Sequence, residues 1–167
     1  MFKDSLETVA LFGGSFDPPH FGHKMVVEEA LKSLSIDKLI IVPTFLNPFK
    51  TQSYSTPSLR LKMAKEMFQE FPKVEVSDYE IEEKKPTPTV QTVQYFQQKY
   101  NVQYVIVGAD NLNAIDRWYN FKWLNEQVTW VIASRVGYTI ASDKLRDFKI
   151  LDVVADISST QIRNQNK

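Results

Sequence analysis

The chain has 167 residues, 20 Lys+Arg against 20 Asp+Glu, and no cysteine. That length fits one domain, 1–167, able to bury ~70% of the surface its unfolded chain exposes. The balanced charge leaves no net field to gather nucleic acid or an anionic membrane, and the missing cysteines exclude disulfides and thiolate metal sites. The opening MFKDSLETVALF carries Asp4, Glu7 and only a four-residue apolar run, which is no secretory signal, and no stretch approaches the ~20 apolar residues of a bilayer span. The expectation is a cytoplasmic domain with neither nucleic acid nor membrane as partner. The sequence carries no signature of an oligomeric state.

In chain order, Thr8–Phe12 reads as a first strand, and after His23 the residues Val26, Val27, Ala30, Leu31 and Leu34 recur at helical spacing. Leu39–Val42 is a second strand. Thr56 followed by Pro57 reads as an N-cap with proline at the first helical position, opening a helix through Phe68. Val74–Ser77 follows as a strand. Thr87-Pro88-Thr89 opens another helix ending near Tyr100, with either threonine as its cap. Tyr104–Val107, Val128–Ala133 and Lys149–Val153 complete five or six strands. Several are unbroken aliphatic runs, as expected of strands covered on both faces, so the fold class is α/β with a mostly parallel sheet flanked by helices.

The only two histidines, His20 and His23, stand three residues apart in GGSFDPPHFGH, where the first strand gives way to the first helix. Gly13 and Gly14 predict a tight turn open to a ligand's approach. Pro18 and Pro19 stiffen the connection, and a helix opening near Phe21 or Gly22 would offer free N–H groups to an anion. Two histidines at a helix start can also simply cap or pack. Zinc is the weaker reading, because HxxH lacks the i, i+4 spacing of helical zinc ligands. Neither GxGxxG nor GxxxxGK[ST] is present, so any phosphate site is of another kind.

GGSFDPPHFGH resembles the signature of the HxGH nucleotidyltransferases, in which a nucleoside triphosphate loses pyrophosphate as its nucleotidyl group passes to an acceptor. Asp156-Ile157-Ser158-Ser159-Thr160-Gln161-Ile162-Arg163 resembles the ISSTxIR segment of the same superfamily, a helix N-terminus that holds triphosphate. Ser158 and Gln161 have capping-box spacing in keeping with that. Three central segments are similar to bacterial nicotinate mononucleotide adenylyltransferases: Pro43–Lys50, Pro86–Val93, and Gly108-Ala109-Asp110-Asn111-Leu112 continuing to Trp118. The resemblance spans residues 8–163 and implies a Rossmann-like three-layer α/β/α domain with a mostly parallel five- to six-stranded sheet. Members of that family continue for several helical turns after ISSTxIR, whereas this chain stops four residues past Arg163, so most of the C-terminal helical tail is expected to be missing.

The resemblance also implies roles. His20 and His23 would donate hydrogen bonds to the transferring phosphoryl group, and Arg163 with the amides of Ile157, Ser158, Ser159 and Thr160 would hold the leaving pyrophosphate. Gly13, Gly14, Ser15, Phe16, Lys24, Lys50, Gly108, Asp110 and Arg135 would complete the ATP and phosphate contacts. Trp118 would stack on a nicotinate ring, main-chain N–H groups near Thr89 and Tyr119 would receive its carboxylate, and Asp17 would touch that nucleotide, with Asp17 and Asp110 both candidates for the ribose or the metal shell. Lys24, Lys50, Arg60 and Arg135 fit solvated surface charge as well, with Lys50 the preferred phosphate ligand and Arg60 the least. The implied small-molecule partners are ATP and nicotinate mononucleotide. The implied cofactor is Mg2+, held mainly by substrate phosphates without a dedicated protein metal site. A sister transferase using nicotinamide mononucleotide or another phosphorylated acceptor, and a non-catalytic nucleotide-binding domain, are the alternatives.

Overall fold

A computed structural model describes residues 6–45, 55–134 and 143–153. The elements are β1 (Thr8–Gly14), α1 (Phe21–Ser33), β2 (Lys38–Pro43), α2 (Pro57–Phe68), β3 (Val74–Val76), α3 (Tyr79–Glu82), α4 (Thr89–Gln97), β4 (Asn101–Gly108), α5 (Phe121–Gln127), β5 (Thr129–Ser134) and β6 (Phe148–Asp152). Short 3₁₀ turns at Ala109–Asn111 and Ile115–Arg117 link β4 to α5. All six strands form one sheet in the order β3-β2-β1-β4-β5-β6, and every neighbouring pair is parallel. The strand order reverses direction between β1 and β4. In open α/β sheets the crevice at such a reversal, beyond the carboxyl ends of the strands, is where ligands bind.

Period-two alternation sends side chains to two cores. Ala10, Phe12, Leu39, Ile41, Ile106 and Val131 face Val27 and Ala30 of α1 and Phe68 of α2. Val9, Leu11, Ile40, Val42, Val105 and Val107 face Val90, Val93 and Phe96 of α4 and Leu124 of α5. Burial on both faces explains the unbroken apolar runs and gives the three-layer α/β/α arrangement that the sequence implies. No helix among the described residues is long and apolar enough to cross a membrane.

Three local expectations need correction. Gly13 and Gly14 make no turn: they extend β1, opposite Val42 and Pro43 of β2. The chain turns at Phe16, whose φ is 50°. Neither Thr87 nor Thr89 caps α4, since Pro88 occupies the N-cap, Thr89 is the first helical residue and the Thr87 hydroxyl donates to the Lys85 carbonyl at 3.2 Å. That helix stops at Gln97, and β4 starts earlier than expected because Asn101 pairs with Thr8. Elsewhere the agreement is close: the Thr56 hydroxyl accepts from the Leu59 N–H at 3.2 Å, capping α2 with Pro57 in its first turn.

Candidate active site

The carboxyl edge of the sheet gathers the candidate groups. A helix that joins parallel strands runs antiparallel to them, so α1, α2 and α4 each begin at this edge and turn the positive ends of their dipoles toward it. Helix N-termini favour negative charge, so three of them at one edge suit an anionic ligand.

At the start of α1 the two histidines hold each other. His20 is the N-cap in an extended conformation, and its Nδ1 accepts the Gly22 N–H at 3.0 Å. His23 reaches back, its Nδ1 accepting the His20 N–H at 3.0 Å. This is the reciprocal geometry of a capping box, built from imidazoles. The rings stack with centroids 3.9 Å apart and planes 26° from parallel. The Phe16 ring lies 4.7 Å from His23, with Phe12 at 6.2 Å. Burial in this aromatic setting, and then the neighbouring His20, push the His23 pKa down to about 3. An imidazole whose Nδ1 accepts carries its proton on Nε2, so the hydrogen-bond pattern assigns both rings the Nε2–H tautomer. Capping and donation are therefore compatible: the cap fixes which nitrogen becomes the donor.

Beneath this pair lies Arg60 of α2, which is fully buried and not a solvated charge. Its Nη1 donates to the carbonyls of Ser15 at 2.7 Å and Thr44 at 2.6 Å, its Nη2 to Phe45 at 2.7 Å, and its Nε to Ser55 at 3.3 Å. Burial lowers the guanidinium's pKa and the Asp17 carboxylate opposes that shift. Asp17 itself is buried, its Oδ1 accepting the Ser55 N–H at 2.9 Å. The Thr44 N–H donates to the Gly14 carbonyl at 3.0 Å, and the Thr44 hydroxyl is buried without a partner. Sequence patterning missed Arg60 because a lone arginine in a helix reads as solvent-facing.

On the other side of the strand reversal, β4 ends in Gly108, as β1 ends in Gly14. A Cβ at Gly108 would stand 2.5 Å from the Asp110 carboxylate, which folds back over the strand end. A Cβ at Gly13 would meet nothing closer than the Val42 carbonyl at 3.8 Å. Trp118 is half-buried, edge-on to Trp130 at 5.9 Å, and belongs to the core beneath α4 and α5. Tyr119 is 71% exposed. Thr89 is half-buried at the uncapped start of α4. Thus Trp118 and Thr89 belong to the face opposite that of the imidazoles, and the strand ends lie between them.

Other expected residues stand apart or out of view. The Lys24 ammonium pairs with Glu70 at 3.1 Å and lies over the Phe71 ring at 5.8 Å. Lys50, Arg135, Ile157, Ser158, Ser159, Thr160 and Arg163 lie outside the described residues. Among the described residues no group of three acidic, histidine or cysteine side chains could hold a metal ion. One buried acid escaped the sequence reading. Glu80 of α3 is 5% exposed, accepts from the Thr92 hydroxyl at 2.6 Å, and is pushed by burial up to about 7.

Comparison with known proteins assigns the family. The cytidylyltransferase-like family model matches residues 11–165. A probable nicotinate-nucleotide adenylyltransferase of Sulfurovum sp. is 46% identical over 99% of this chain and 88% of its own length. One from Aliarcobacter butzleri is 48% identical over 94% of this chain and 86% of its own. Among solved structures, the Plasmodium falciparum nicotinic acid mononucleotide adenylyltransferase complexed with NaAD superposes with a TM-score of 0.76 at 20% identity, covering 95% of this chain and 83% of that one, which supports the fold. With the histidine cap at the strand reversal, these similarities make the chain a member of the cytidylyltransferase-like superfamily and, within it, of the nicotinate-nucleotide adenylyltransferase family of NAD biosynthesis.

Proposed function

We propose that this chain transfers the adenylyl group of ATP to nicotinate mononucleotide, giving nicotinate adenine dinucleotide and pyrophosphate. The observation that carries the reading is the imidazole pair at the carboxyl edge, its Nδ1 atoms occupied by backbone N–H groups and its Nε2–H donors preset. A phosphate monoester with a second pKa of ~6 is already largely dianionic at neutral pH, so it needs no general base to attack the α-phosphorus of ATP. Its oxygen forms the new P–O bond as the bond to pyrophosphate breaks, and the protein's task is alignment and charge dispersal. Neutral His23 suits that task as a hydrogen-bond donor whose protonation state stays fixed near neutral pH.

Gly13 leaves room at the end of β1 for the triphosphate, which no contact within the fold requires. Ser15, Gly14 and the Phe16 backbone border it, Gly108 and Asp110 flank the nucleoside from β4, and Asp17, Thr89, Trp118 and Tyr119 serve the pyridine nucleotide. Lys50, Arg135, Arg163 and the amides of Ile157–Thr160 would neutralise phosphate. Lys24 could join them only by leaving Glu70, a partly exposed pair worth at most ~1 kcal/mol. Mg2+ arriving with ATP would neutralise charge on the phosphate oxygens. The residues fit that role, because Mg2+ keeps its waters and substrate phosphates as ligands and asks for no acidic cage. Pyrophosphate release from ATP, measured separately with nicotinate mononucleotide, nicotinamide mononucleotide and phosphopantetheine, tests the reading. Release with the first alone, or far faster with it, is expected; release with another acceptor only, or none, would overturn it.

A further inference from the structure

We propose that Arg60 is a positioning residue for adenylyl transfer, acting through Phe16 on the imidazole pair; the inference rests on the reaction proposed above. The guanidinium has five N–H donors in a rigid plane, and four hydrogen bonds leave it for backbone carbonyls. Those carbonyls belong to three segments at one end of the sheet: Ser15 after β1, Thr44 and Phe45 after β2, and Ser55 before α2. The β1–β2 ladder closes at the Thr44 N–H to Gly14 carbonyl bond, and just past it Arg60 takes up the carbonyls of Ser15, Thr44 and Phe45 together with that of Ser55. Arg60 therefore fixes the spacing between the segment that leads from β1 to His20 and the residues at the end of β2.

The route from Arg60 to the imidazoles is short. Ser15 and Asp17 flank Phe16, the first tied to Arg60 by its carbonyl and the second by charge and by its bond to the Ser55 N–H. Phe16 between them has a φ of 50°, a left-handed conformation that is costly for a bulky residue and persists only where its surroundings enforce it. In that conformation its ring is 2% exposed and lies 4.7 Å from the His23 ring, which in turn stacks on His20. Arg60 thus holds both residues beside the strained one, and the strained one backs the donor pair. An arginine kept only for stability would have no such path to the reacting group.

The test uses the full chain with Arg60→Lys and Arg60→Gln. Lysine keeps the charge but replaces the planar fork with a single point of donation, so it restores at most part of the geometry. In variants that still unfold cooperatively, kcat is expected to fall tenfold or more while both KM values stay within threefold. The His20 and His23 imidazole nitrogen resonances of the ligand-free protein should move, with Arg60→Lys closer to the parent than Arg60→Gln. A folded variant with parental kcat and unmoved resonances would overturn the proposal. If neither Arg60 variant folds, Phe16→Leu decides, because it removes the ring contact and leaves Arg60 in place; parental turnover there would refute the route. If the parent chain makes no pyrophosphate, the assigned reaction fails, while the resonances still report whether Arg60 governs the histidines.

Discussion

His20 and His23 cap the same helix from opposite directions: each Nδ1 accepts a backbone N–H at 3.0 Å, one from Gly22 and the other from His20 itself. In the proposed reaction, the helix cap and the phosphate contact would thus use different nitrogens of the same rings. Asparagine is among the best N-cap residues and has no equivalent of the imidazole Nε2–H. His20→Asn is expected to keep thermal stability within about 0.5 kcal/mol of the parent while turnover falls ~10²-fold or more, the usual cost of losing a transition-state donor. Calorimetry beside steady-state rates checks it, and unchanged turnover would remove His20 from the chemistry.

His23→Ala removes the cap and the proposed donor at once. It should cost about 1 kcal/mol through the lost cap and lower kcat by ~10² or more. The ring also has a pH signature. A histidine held neutral with its pKa near 3 contributes stability that is present above its unfolded value of 6.5 and is lost as pH falls toward 3. Denaturant midpoints between pH 6.5 and pH 4 should therefore fall less steeply in the variant than in the parent.

Glu80 gives the opposite slope. Its pKa is raised from 4.5 to about 7, so its protonated form is the one the fold favours. That contribution is complete below pH 4.5 and is lost as pH rises through 7, a linkage of at most ~3 kcal/mol. Glu80→Gln keeps a partner for the Thr92 hydroxyl and cannot ionise. It should be more stable than the parent at pH 8 and close to it at pH 4.5, as read from urea midpoints.

Trp118 meets Trp130 edge-on, so Trp118→Ala will lose some stability whatever it binds. If it also stacks on the pyridine ring, KM for the pyridine nucleotide should rise ~10-fold with KM for ATP unchanged, in line with the worth of one aromatic contact. A rise for ATP alone would move this tryptophan to the other substrate.

Gly13→Ala probes the opening at the end of β1. The added methyl meets nothing closer than 3.8 Å, so the melting temperature should hold. A higher KM for ATP, without a matching rise for the pyridine nucleotide, is the expected result. Equal affinity for both would place the triphosphate elsewhere.

The strands were legible because both sheet faces are buried: Leu39–Val42 and Thr8–Phe12 carry no polar alternation, and the structure extends each by one or two residues. The Thr56-Pro57 start was legible because capping is local chemistry. What patterning could not supply was the partner of a residue far along the chain. Arg60 looks like any helical arginine until Ser15 and Thr44, which lie 45 and 16 residues before it, fold around it. The short α3 and α5 lack the length for a periodic signal, and α3 hides Glu80. The position of the turn after β1 is not legible because glycine is the default for a left-handed bend, whereas here a phenylalanine takes that conformation.

The capping box of imidazoles also bears on adventitious transition metals. A zinc or nickel ion binds histidine through an unprotonated lone pair, and in this pair the Nδ1 lone pairs face helix N–H groups while Nε2 bears hydrogen. Coordination through Nε2 would require tautomer reversal and so the loss of that ring's cap hydrogen bond. This stacked pair could take up such an ion only at the expense of the helix cap.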